Sequence, residues 1–277
     1  MNIIFTGKNR MGKNCSILLL LLLPVISLPA GVKGEEKSGL NTSIIEQEIF
    51  RIVNEERKSR NVNTLIYDKR LAGIALLHSK NMAEQNFFSH TDRESRSPQK
   101  RVKQYYPEII GGIGENIAQD FGGSEQEVAK NLMAAWMNSP GHRANILNKD
   151  YSYFGAGVYQ NGTYYYATQN FIDAIVKVPD NTITEFKFES EATLKFEFVG
   201  AFEKDKITIF CEFADRGNTY QMPDGSYYTG AAPLTPVWID ERYFTVTFKF
   251  NKGKGIYKFV FGKNGRFFPN GFNVVVK

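Results

Sequence analysis

The sequence predicts an α+β protein whose first half mixes helices with short strands and whose second half is all β. Two periodicities carry this expectation. From Ser43 to about Ile172 apolar residues recur at helical spacing before giving way to strands. After Lys177 that spacing disappears and a strict period of two takes over. The length suits two domains of ~100–150 residues each, and 42% hydrophobic with 14% aromatic residues suffices for two cores. The predicted boundaries are a signal peptide over 1–34, a short linker over 35–43, a mixed domain over 44–175 and a β domain over 176–277.

The first segment is read as an export signal. Lys8, Arg10 and Lys13 precede the apolar run Ile17 to Ile26, and small residues follow at Ala30 and Gly34. Ten apolar residues fall well short of the ~20 that span a bilayer. The protein is therefore expected to be secreted, extracellular and not membrane-spanning. Removing the four basic residues of 1–34 takes the formal charge from +5 to +1. No basic stripe remains, which argues against a nucleic acid partner. Cys15 leaves with the signal and Cys211 is then alone, so no disulfide framework is expected.

Within the mixed half, Ile45, Ile49, Ile52 and Val53 form one helical face, with Glu46, Glu48, Glu55, Glu56 and Arg57 mostly on the others. Asp68 is a plausible N-cap for a second helix whose face reads Leu71, Ile74, Ala75, His78 and Met82. A third helix opens with Ser124 and Glu127 at capping-box spacing. It runs through Val128, Leu132 and Trp136 and stops before Pro140. Two strands then flank Asn161-Gly162, a dipeptide favoured in type I′ hairpin turns. In the β half, alternating runs such as Leu194–Phe196–Phe198, Ile207–Ile209–Cys211–Phe213 and Phe244–Val246–Phe248–Phe250 suggest a sandwich, with an immunoglobulin-like hint around Tyr257. Cys211 should point into it and be inert.

Three histidines are the main chemical candidates. His78 lies on an apolar helical face and reads as a hydrogen-bonded core residue. His90 and His142 sit where the chain turns, the usual location of functional side chains. Their spacing alone is no metal signature, so a shared site and two unrelated surface histidines both stand on this ground. Glu115, in "GGIGENIAQD", reads either as a solvated loop carboxylate or as a catalytic candidate approached closely by glycine backbone, with Asn116 able to hold the loop. Nucleophile-elbow, phosphate-loop and dinucleotide motifs are missing from the sequence.

Taken together, "FFSH", "SPQKR", "GENIA", "AAWMNSPGHRANIL" and "GVYQNGTYYYATQNF" occur in the order seen in bacterial CAP domains. The sequence over roughly 44–173 thus resembles the superfamily of cysteine-rich secretory proteins, antigen 5 and pathogenesis-related 1 proteins. The resemblance implies an α-β-α sandwich with His90 and His142 in a central cleft and Glu115 as its first glutamate. It also implies a possible divalent metal, zinc foremost, held by His90 and His142, with Glu115 hydrogen-bonded to a bound water. One departure stands out: Met137, Asn138 and Ser139 follow Trp136 where many members carry a second glutamate. Three functions follow as expectations. The first is an extracellular binding module for a cell-envelope, lipid or peptide ligand. The second is a metal-dependent hydrolase or peptidase, and the third an envelope or adhesion protein acting through its β domain.

Overall fold

The computed structural model describes residues 40–268 and 270–277. The predicted export signal and most of the linker lie outside them. Four longer helices form in the first half: α1 (Thr42–Lys58), α2 (Lys69–Glu84), α3 (Pro98–Tyr105) and α4 (Glu125–Asn138). The Asp68 carboxylate caps α2 by accepting from the amides of Arg70 and Leu71. Ser124 and Glu127 form the reciprocal capping box of α4. Helix α3 starts with Pro98 behind the Ser97 cap; its short, basic sequence gave no apolar stripe to foretell it.

The strands of this half are β1 (Ile66–Tyr67), β2 (Ile109–Phe121), β3 (Tyr153–Asn161) and β4 (Tyr164–Lys177). Antiparallel β4 pairs β3 on one side and β2 on the other. Alternation along β3 and β4 divides the apolar residues between two helix layers. Phe154, Ala156, Val158, Tyr165, Ala167 and Phe171 pack with α1 and α4. Ile172 and Ala174 pack with Leu71 and Ile74 of α2 and with Val102 of α3. Helices thus cover both faces of one sheet.

Two local expectations are corrected. The β3–β4 hairpin turns on Gly162-Thr163, because Asn161 is already paired with Tyr164. Only Gly162 has positive φ, at 61°, which suits a turn with glycine at its first central position. Arg57, placed on the exposed face of α1 by its charge, is wholly buried. It occupies the helical position after Ile45, Ile49 and Val53, and its guanidinium donates to four main-chain carbonyls. These belong to Asn63 at 2.6 Å, Ile146 at 2.8 Å, Asn148 at 2.9 Å and Tyr151 at 3.3 Å.

The second half is β-rich. Its strands are β5 (Glu185–Phe186), β6 (Glu191–Phe198), β7 (Ile207–Glu212), β8 (Thr219–Gln221), β9 (Tyr227–Thr229), β10 (Ala231–Leu234), β11 (Val237–Trp238), β12 (Tyr243–Lys249), β13 (Gly255–Lys263), β14 (Arg266–Phe267) and β15 (Phe272–Val276). One sheet runs β10-β7-β13-β15-β5, with β14 on β13. The other, β6-β12-β11, continues the sheet of the first half: Val176 and Lys177 of β4 pair with Phe198 and Glu197 of β6. The sequence boundary at 175/176 therefore falls inside a strand. Phe196, Phe244, Phe259, Phe261 and Cys211 fill the space between the sheets, joined by Ile175 and Val176 from β4. Burial pushes the Cys211 thiol up, so it stays protonated and unreactive.

Helix α2 lies directly on β3. A methyl group on Gly157 would come within 1.9 Å of the Leu76 amide nitrogen, whereas one on Gly73, on the outer side of α2, would touch nothing within 4 Å. Gly157→Ala should therefore destabilise the fold by about 3 kcal/mol, while Gly73→Ala should stabilise it by up to about 1 kcal/mol. Urea unfolding midpoints of the two variants check both signs.

Candidate functional site

The site is built around one buried carboxylate. Strand β2 pairs only with β4, and a register shift at Ile110/Gly111 precedes the stretch in which Glu115 lies opposite Asn170. Glu115 is thus a strand residue and not a loop one. Its side chain is 1% exposed and faces the α2–α3 layer, where three cationic or ionisable groups meet it. Arg101 of α3 donates from Nη2 to Oε2 at 2.5 Å. The Nδ1 atom of His90 lies 2.9 Å from Oε1. On α2, Nε2 of His78 is 3.9 Å from the same oxygen.

Each of these groups also fixes the chain that carries it. Arg101 donates from Nη1 to the carbonyls of His90 at 2.8 Å and Arg96 at 2.9 Å, and so clamps both ends of the 90–96 loop. His78 is fully buried and its Nε2 lies 3.0 Å from the Ser89 carbonyl, the residue before His90. As expected it is a hydrogen-bonded core histidine, but one that helps position the site. Its pKa is lowered, chiefly by burial, although the Glu115 charge opposes that shift.

The segment that carries His142 is anchored to β2 through Asn116, the neighbour of Glu115. The expected turn at Pro140-Gly141 is instead a second short helix, α5 (Pro140–Ile146), with proline at its first position. Proline ends α4 by denying it a backbone donor, then supplies the φ that starts α5. Asn116, the neighbour of Glu115, donates from Nδ2 to the His142 carbonyl at 3.1 Å and to Gln169 Oε1 at 2.9 Å. Asn145 donates back to Asn116 Oδ1 at 2.9 Å and to the Glu115 carbonyl at 3.2 Å. Adjacent residues of one strand thus anchor the two histidine-bearing segments, one on each face. Arg57 adds a third anchor through the Ile146 carbonyl at the end of α5.

Both outer histidines keep ring nitrogens available. His90 is 48% exposed, and Nδ1 is its one ring nitrogen with a hydrogen bond among the described residues. The half-buried His142 ring has no hydrogen bond among them. Its pKa is lowered by burial first and by the charge of His90 second. No third His, Cys, Asp or Glu joins them in a metal-holding cluster among the described residues. Met137, where a second glutamate would fall, packs against the α1–α4 core.

Sequence reading missed Arg101 and the part played by His78. Arg101 stood in a basic stretch with Lys100 and Lys103, and only its burial in the structure separates it from them.

Residues 50–171 match the family model described as the cysteine-rich secretory protein (CAP) family, so this part of the chain is a CAP domain. Among curated relatives, an uncharacterized protein of Bacillus subtilis, YkwD, is 32% identical over 137 residues, covering 48% of this chain and 48% of that protein. A second from the same organism, the uncharacterized membrane protein YlbC, is 33% identical over 144 residues, covering 52% of this chain and 38% of that protein. The chain thus spans about half the length or less of these relatives. A solved extracellular protein containing an SCP domain, from Bacillus anthracis, is 34% identical with a TM-score of 0.41, covering 47% of this chain and 41% of that one.

Glu115→Gln should cost about 3–5 kcal/mol, because it strands the buried Arg101 guanidinium. Chemical denaturation checks this. His78 gives a pH signature of fixed sign. Its folded pKa lies below the ordinary 6.5, so below that pH the unfolded chain binds more protons than the folded one. The stability present above pH 6.5 should fall as acid is added through the folded pKa. His78→Gln should flatten the slope of unfolding free energy against pH in that window.

Proposed function

We propose that the CAP domain is an extracellular binding module whose cleft takes a divalent ion, zinc foremost, between His90 and His142. One observation carries the reading: the Nδ1 atom of His90 is engaged by buried Glu115, which fixes the ring and leaves Nε2 for a ligand. A metal-binding imidazole is commonly held in this way by a carboxylate on its other nitrogen. Two imidazoles leave the remaining positions of a tetrahedral ion to water or to an extracellular ligand. When bound, the ion would supply Lewis acidity to that ligand. The protein's own residues orient the rings, through Glu115 for His90 and Asn116 for the His142 segment.

The hydrolase reading asks Glu115 to take a proton from water. The arrangement favours a different task. One carboxylate oxygen is engaged by His90 and the other by the buried guanidinium of Arg101. With both oxygens engaged, the carboxylate is placed to orient its partners rather than to meet a water. Glu115 is therefore read as a positioning residue, and the cleft as a binding site.

The C-terminal half is read as an immunoglobulin-like sandwich that presents the CAP domain and adds contacts. Buried Tyr257 supports this. Its hydroxyl accepts from the Lys252 amide at 2.7 Å and donates to the Gly253 carbonyl at 2.8 Å, the local geometry of a tyrosine corner. No helix among the described residues is long and apolar enough to cross a membrane. The predicted signal over 1–34 would then direct export.

Zinc titration by calorimetry checks the central reading. His90→Ala and His142→Ala should each weaken binding at least tenfold, and Glu115→Gln by about 10–100-fold. Equal affinity in wild type and in both histidine variants would remove the site.

A further inference from the structure

A second site lies where the two halves meet. A cavity of about 500 Å³ opens beside β2, walled by Gly112 and Ile113 on one side and by the β13–β14 hairpin and the segment after it on the other. That volume is within the ~300–1,000 Å³ range of small-molecule sites. The hairpin turns on Asn264-Gly265, both at positive φ (50° and 75°), the pattern of a type I′ turn. Lys263 fastens it to the first half by donating to Asp150 at 2.6 Å. The ring of Phe268 rests on Gly112, where an added methyl group would come within 2.7 Å of it.

Two acceptor groups in the lining are sheltered yet have no hydrogen bond among the described residues. Asp173 of β4, opposite Gly112 in register, is only 6% exposed, and its carboxylate has no hydrogen bond among the described residues. Burial, then the charge of Asp150, pushes its carboxyl up to about 7 against the opposing pull of Lys263 and Arg266. Across the cavity, the Oδ1 atom of Asn270 is buried and unpartnered. Buried polar atoms are normally satisfied, and each exception is destabilising. A buried amide oxygen and a carboxylate without a hydrogen bond, lining one cavity, call for a ligand that brings hydrogen-bond donors.

The rest of the lining narrows the class. Lys263 pairs with Asp150, while Lys149, Arg266 and Asp173 complete the charged part of the lining. Arg266 adds donors, and the aromatic faces of Phe267 and Phe268 add apolar surface. A ligand with hydroxyl donors and acceptors around its rim and an apolar ring face matches this set.

We propose that this cavity is a saccharide-binding site, in which sugar hydroxyls pair with Asp173 and Asn270 and a sugar ring stacks on the Phe267–Phe268 wall. It shares no side chain with the His90–His142 cleft and stands independently of any metal there.

Saturation-transfer NMR and calorimetry on the full chain test it, using chitotriose, cellotriose, maltotriose and mannotriose as probes, with tetra-alanine as the peptide control. At least one trisaccharide should bind with a Kd of about 1 mM or tighter. Asp173→Ala and Asn270→Ala should each weaken that binding at least fivefold. The solvent-facing Phe267→Ala, chosen because it leaves the core intact, should do the same. His90→Ala should leave it unchanged, which separates this site from the metal reading. Asp173→Ala should also raise the melting temperature of the free protein, whereas a purely structural Asp173 would lower it. The proposal is overturned if no trisaccharide binds, if all three cavity variants bind as wild type does, or if tetra-alanine binds in their place.

Discussion

The placement of His90, and of the helices and loop packed around it, depends on the burial of Glu115. A carboxylate removed from water is costly unless its oxygens are met by charge-assisted hydrogen bonds. The chain meets that demand from different elements at once: Arg101 on α3, His90 in the connection before it, and the His78 imidazole of α2 nearby. Because Arg101 also holds the His90 and Arg96 carbonyls, satisfying the carboxylate fixes the loop. The exposed histidine thus inherits its placement from a buried network.

Asn116 has the complementary role on the opposite face of β2. It holds α5 by its main chain, while buried Arg57 ties the end of the same helix to α1 and to the chain entering β3. Neither anchor touches the His142 ring, which keeps it free for a ligand. The β-rich half is joined to this arrangement by a shared strand: β4 runs from the hairpin through the CAP layer and ends in the aromatic core beyond it. Motion between the halves must therefore break sheet pairing, unlike motion about a flexible tether.

Much of this was legible in the sequence. The period of 3.6 in α1, the capping box at Ser124 and the alternation around Phe196, Phe244 and Phe259 each reflect local rules that tertiary contacts reinforced. His90, His142 and Glu115 were each candidates by residue type and position, but were legible as one site only through the resemblance, since their spacing matches no short motif. Other features were hidden for physical reasons. Arg57 and Arg101 carry the same charge as their solvated neighbours, and only long-range carbonyl and carboxylate partners make them core residues. The glycines before Glu115 suggested a loop. In the strand, Gly111 and Gly112 admit the close approach of Asp173 and Phe268. Pro140 was read correctly as a stop for α4, but a stop and a start are compatible when proline takes the first position of the next helix.

The central claim is that Glu115 fixes His90 by its Nδ1 atom and leaves Nε2 of His90, together with the His142 ring, to bind an ion. With only three histidines in the chain, long-range proton–nitrogen NMR of the imidazoles tests it most directly. The account predicts His90 as the Nδ1-protonated tautomer. Added zinc should shift ring nitrogens of His90 and His142 and leave those of His78 in place. An Nε2-protonated His90, or zinc shifts that fall on His78 or on none of the three, would contradict it.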